Sequence, residues 1–279
     1  KDSGQNLTVD AAGGSNYKVT ATNGDAYGIA AEGTGNILEY GKVNNVVVEA
    51  AKGDAYGLAA LNGAALSGDV KNISVTAKTA KKTAYGILVS GDKSSAKLGS
   101  IESITVNSAG SGYGLYAGGS TDVSGTINNI TVSANDAAYG IYAPDENVSL
   151  DVKVTGVISV DSASGNAHSI YSEAGMITTR ATDDTKIIGD VNAIGKSQQV
   201  IYLDKSTLIG SINAGDTSKI DLAANNGSTL TGSVKAASGA SVGLALNSGS
   251  TWNVTDNSNT NGELAVNGGT VNFLQTGTN

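Results

Sequence analysis

The chain has 279 residues, with 38 Gly, one each of Pro, Phe, Trp, Met and His, no Cys, a net charge of −8 and a pI near 4.6. It is long enough to bury a core, but with so few large side chains that core must be slim and built from many small, similar layers. The lack of Cys excludes a disulfide framework, thiol catalysis and thiolate metal sites. The acidic balance argues against nucleic acid, and no run of 18 apolar residues offers a membrane-spanning helix.

Along the chain, the opening "KDSGQNLTVD" (1–10) lacks the charged-then-apolar pattern of a secretory leader. The pattern begins and stops in mid-phrase, so the sequence reads as an excerpt from a longer protein. "DAYGIA" (25–30) then introduces a phrase that returns as "DAYGLA" (54–59), "TAYGIL" (83–88), "SGYGLYA" (111–117) and "AAYGIYA" (137–143). Its markers, Tyr27, Tyr56, Tyr85, Tyr113 and Tyr139, lie 29, 29, 28 and 26 residues apart. Altered forms follow in "AHSIY" (167–171), where His168 takes the Tyr place, and "QVIY" (199–202).

A second phrase lies between the markers: "VNNVVVEA" (43–50), "VKNISVTA" (70–77), "IESITVNS" (101–108), "INNITVSA" (127–134) and "TGVISVDS" (155–162). Both phrases alternate with period two, which predicts strands. A weaker third strand is read in "NILEY" (36–40), "AALSG" (64–68), "AKLGS" (96–100), "TDVSG" (121–125) and "KIIGD" (186–190). Three strands per 26 to 31 residues, with Gly-, Asn- and Asp-rich corners, describe one rung of an all-β, single-stranded parallel β-helix. After residue 200, "STL" (206–208), "STL" (228–230) and "STW" (250–252) set a 22-residue period. The expectation is one domain over 1–279, with wider rungs over 1–199 and slimmer ones over 200–279. It comprises about ten rungs and is about 50 Å long at roughly 4.8 Å per stacked strand.

Strict alternation through "AYGIYA" puts Tyr139 with Ile141 and Ala143, opposite Tyr142. Tyr27, Tyr56, Tyr85, Tyr113 and Tyr139 are therefore expected to form an inner or corner structural ladder. Tyr116, Tyr142, Tyr171 and Tyr202, three residues after the marker, are expected to form an exposed aromatic stripe able to hold a sugar face or a second rod. Lys78, Lys81 and Lys82 form the single dense basic patch, either a solvated corner or a contact for anionic glycans. Asp25 and Asp54 recur at one corner, Asp183 and Asp184 are adjacent, and neither pair has the form of a unique catalytic dyad. His168 stands in a Tyr column and reads as a repeat substitution. No Cys/His cluster or acidic nonapeptide array predicts a metal, and no cofactor is expected. Asn45, Asn72 and Asn129 match in phase, interrupted by Ser103, and predict a short amide ladder.

The C-terminal words "NNGSTLTGSV" and "NSGSTWNVTDNSNTNGELAVNGGTVNF" resemble the passenger region of Gram-negative autotransporters of the pertactin-like and self-associating adhesin groups. The match runs over roughly residues 200 to 274 and is carried by Trp252, Val254, Leu264, Val271 and Phe273. The resemblance implies a right-handed β-helix secreted across both membranes and displayed from the outer membrane, where a barrel absent from this chain would anchor it. It also implies a non-enzymatic role in cell adhesion, auto-aggregation, biofilm formation and virulence, with host or matrix glycans or proteins, or a second copy, as partners. No serine-protease nucleophile motif of the GDSGSP type occurs; "KDSGQN" shares only three of its letters. A β-helical polysaccharide lyase or hydrolase, and a purely architectural rod, are the alternative functions.

Overall fold

The computed structural model describes residues 14–274 and the backbone of residues 6–8, and among them every secondary-structure element is a strand. Every pairing between these strands is parallel, and the pairings form three ladders. On the first face the strands include Ser149–Val154, Met176–Ala181, Gln198–Asp204, Lys219–Asn225, Ser241–Asn247 and Asn261–Asn267. The second face includes Ser15–Ala21, Val157–Ser162, Lys186–Ile188, Thr207–Ile209, Thr229–Thr231, Thr251–Val254 and Thr270–Phe273. The third is a nine-stranded sheet, beginning at Ala26–Glu32 and ending at Val234–Ala236.

Four long strands, Ile37–Ala50, Ala65–Ala77, Ser95–Ser108 and Asp122–Ala134, serve the first two faces in turn. Their register slips near the bend, as between Gly68 and Val70 or Ser124 and Thr126, so a bulge turns the corner and the two faces merge into one sheet. The chain visits the faces in fixed order, and each visit stacks on the last. The result is an all-β, solenoid-like stack of three-sided rungs.

Stacking makes the core columnar. On the second face Tyr17, Val46, Ile73, Ile104, Ile130, Ile158, Ile187, Leu208, Leu230, Trp252 and Val271 lie in continuous register. All but the two end members are buried. On the third face Leu58, Ile87, Leu115, Ile141, Ile170, Val191 and Ile212 do the same. Each such Leu or Ile contributes about 1.5–3 kcal/mol by leaving water, and each stacks on an apolar neighbour in the next rung.

Two expectations fail on phase. "KIIGD" does not join the third phrase: Lys186–Ile188 pairs with Val157–Ser159 on the second face, and the first-face strand of that rung is Met176–Ala181. The rungs also shorten earlier than residue 200. His168 pairs with Asp190 and Met176 with Gln198, spacings of 22, whereas Val157 to Lys186 is still 29. The corner chain is lost between about residues 172 and 190, before the repeated Ser-Thr words make the new period visible.

The narrowing is marked by polar groups inside the core. Gln199 occupies the inward column between Ile177 and Ile220, and its Nε2 donates to Ser172 Oγ at 2.8 Å and Asn192 O at 2.6 Å. Thr179, fully buried between Val152 and Ile201, has no hydrogen-bond partner for Oγ1 among the described residues. A buried hydroxyl without a partner costs about 1–3 kcal/mol. Thr179→Val keeps the shape and removes that hydroxyl, so the urea midpoint should rise, equivalent to about 1 kcal/mol. An unchanged or lower midpoint would show that the hydroxyl is satisfied.

Candidate contact surface

The "AYG(I/L)" phrase breaks its own alternation. In Ala137–Ala143 the burial pattern places Ala138, Gly140, Ile141 and Ala143 inward, while Tyr139 and Tyr142 are half-exposed. Gly140 and Ile141 both face in, so the strand is kinked at the glycine. The cause is the opposing sheet. A Cβ on Gly57 would lie 2.5 Å from Ile73 Cγ2, 3.0 Å from Val75 Cγ2 and 2.5 Å from the Gly86 carbonyl oxygen. Gly28, Gly86, Gly114 and Gly140 are similarly crowded, so this position accepts no side chain.

The kink therefore corrects the expected inner ladder. Tyr27, Tyr56, Tyr85, Tyr113 and Tyr139 stand on the outer face, in the same layer as Tyr116, Tyr142 and Tyr171, and the two columns pack against each other. The marker rings stack nearly parallel, with centroids 4.4, 5.2, 5.1 and 5.1 Å apart and interplanar angles of 4–11°. His168 continues the stack at 5.6 Å from Tyr139. Tyr116 meets Tyr85 and Tyr113 edge-on at 90° and 88°. Such aromatic pairs add about 0.5–1.5 kcal/mol each beyond their burial. Because the marker rings cover one another's faces, this column presents ring edges and hydroxyls to solvent.

Burial raises the phenol pKa throughout the ridge, to about 12 for Tyr85. Tyr142 is also raised, first by burial and then by donating its hydroxyl to Glu173 Oε1 at 2.6 Å. Burial lowers the His168 pKa. Its Nε2 faces Asn166 Oδ1 at 2.7 Å, and Nδ1 takes the Asn192 amide, which suits a neutral ring with its proton on Nε2. These shifts favour the neutral forms of the ridge's Tyr and His side chains.

Tyr202 does not belong to it. In register Tyr171 is followed by Asn192, whereas Tyr202 lies on the first face between Arg180 and Ala223. The early loss of corner residues carries the "QVIY" words past the third face. Of the basic patch, Lys78 pairs with Glu49 and Lys82 lies 4.0 Å from Asp54, while Lys81 sits at a turn with φ of 65°. Asp25 and Asp54 act as corner acceptors, taking the Asp54 N–H at 2.9 Å and the Thr83 N–H at 2.8 Å. Asp183 and Asp184 are consecutive left-handed corner residues. Among the described residues, no three His, Asp or Glu side chains are grouped to hold a metal ion. The DSG letters at residues 2–4 lie outside the described residues.

The amide ladder runs from Asn16 through Asn45 and Asn72 to Ser103, with bonds of 2.5, 3.0 and 2.7 Å. Asn129 leaves the chain of amides, donating to Glu102 O and accepting from the Val157 N–H. Sequence reasoning missed two further ladders, Asn225–Asn247–Asn267 and Thr231–Asn253–Asn272. Their spacings of 19 to 22 residues were the available signal. Comparison with known proteins finds no match: no family model, curated protein or solved structure is similar to this chain.

Proposed function

We propose that this chain is a non-enzymatic adhesive rod, a right-handed single-stranded parallel β-helix displayed at a bacterial cell surface as autotransporter passengers are, and that its tyrosine face joins it to a second copy. The single observation that carries the reading is the ridge itself. Eight Tyr residues and His168 form one continuous outer surface, with rings at about the rung spacing. Rows of hydroxyls and ring edges at that spacing are commensurate with another solenoid of the same rise. Stiff aromatic side chains make efficient anchors for such a contact because few rotamers are lost. Asp25 and Asp54 serve as acceptors at a corner, and Asp183 and Asp184 are consecutive left-handed corner residues, so neither pair supports a hydrolytic reading.

Sedimentation over a wide concentration range tests it. Association should weaken at least tenfold when Tyr116, Tyr142 and Tyr171 are changed together to Ser, and should persist in Tyr202→Ser, which alters a different face. A strictly monomeric parent, or association indifferent to the triple change, would sink homotypic docking through the ridge.

A further inference from the structure

On the first face, the rungs below Tyr202 carry Ala223, Ala245 and Ala265 in register. Alanine is a poor choice for the open face of a strand, where β-branched and aromatic side chains pack better. Three in a column leave the ring standing over a hollow, and a groove of about 480 Å³ lies here, walled by Tyr202, Asp221 and Glu263. That volume is within the range of small-molecule sites.

Three features suit this groove to a ligand. The Arg180 guanidinium, one rung towards the N-terminus and paired with Asp151, sits over the Tyr202 ring at 5.7 Å from its centroid. One ring face is thereby occupied, and the opposite face looks over Ala223 into the groove; Tyr202 is 43% exposed. The tyrosines within the ridge bury their faces on one another, whereas this ring keeps one open. Asp221, held by Lys219 at 2.7 Å, reaches across the rung below: a Cβ on Gly243 would lie 2.8 Å from Asp221 Oδ1. Glycine at that position leaves the carboxylate its place beside the floor. Glu263 supplies a second acceptor from the last described rung of this face.

We propose that this groove is a saccharide-binding subsite, independent of the tyrosine ridge, for the apolar face of a neutral β-linked sugar chain. The C–H face of a pyranose is drawn to the electron-rich face of Tyr202, its ring lies over the Ala methyls, and its hydroxyls donate to Asp221 and Glu263. The same carboxylates repel a uronic acid chain.

Saturation-transfer NMR on the whole chain, with neutral β-linked tetrasaccharides of glucose, galactose and N-acetylglucosamine and with tetragalacturonate, tests the proposal. At least one neutral probe should bind, at least tenfold more tightly than tetragalacturonate. Tyr202→Ala should weaken it at least tenfold, and so should Ala245→Val, which fills the hollow one rung beyond the ring's own neighbour, Ala223. Tyr142→Ser, which alters the ridge alone, should leave it unchanged, separating this site from self-association. Failure of every neutral probe, indifference to both groove variants, or Tyr202-dependent binding of tetramethylammonium in place of sugar would overturn it.

Discussion

Gly57→Ala should destabilise the protein by about 3 kcal/mol, the upper end of what overpacking a closed core costs. The added methyl group would point inward, 2.5 Å from both Ile73 Cγ2 and the Gly86 carbonyl oxygen. Neither neighbour can retreat. Ile73 belongs to a column packed on both sides, and Gly86 holds the equivalent place in the next rung. Gly227→Ala is the matched control. Its φ of 80° carries the left-handed penalty of about 1–2 kcal/mol, yet nothing lies within 4 Å of the new methyl group. Urea unfolding of both variants separates crowding from backbone strain. If Gly57→Ala costs no more than Gly227→Ala, the kink is not enforced by the opposing sheet.

Excising residues 207–228 should leave a folded protein one rung shorter, whereas excising 207–217 should abolish folding of the C-terminal region. The difference follows from register. Thr207 pairs with Thr229, Ile212 with Val234 and Lys219 with Ser241, so a 22-residue step restores all three faces together. Ser206 then meets Thr229 as Ser228 does now. An 11-residue step puts first-face words on another face and turns inward columns outward. In a solenoid, where each rung touches only its neighbours, the 22-residue excision should keep a cooperative transition and reduce the denaturant slope by roughly a tenth. Circular dichroism and urea melts of the two deletions decide it. Loss of folding in the 22-residue deletion would show that this rung is irreplaceable.

The repeat itself was legible because stacking demands the same residue type at the same phase. The Tyr markers, the Ile-bearing second phrase and the corner Asp residues all fall in register as their spacing implied. The phase within the phrase was not legible. Period two reads a glycine as one more alternating position, and only the approach of Ile73 and Val75 to Gly57 shows that the strand kinks there. Tyr202 was misplaced for a related reason. Its word, "QVIY", resembles "SIY" closely enough to hide that a corner had been deleted between the two, and only pairing with Arg180 reveals the face it occupies. The groove below Tyr202 was hidden because alanines spaced 20 to 22 residues apart carry no signal in so Ala-rich a chain.

The backbone hydrogen bonds of all three ladders run along the length of the stack, and this sets how it bears load. Tension applied between its ends falls on the rungs in series, and each junction opens like a zipper tooth rather than in shear. One rung gives way at a time and releases 19 to 31 residues, roughly 65–105 Å of chain, while the rungs beneath keep their bonds. Under a sudden pull such a rod lengthens in steps and dissipates work, so it would yield gradually rather than snap.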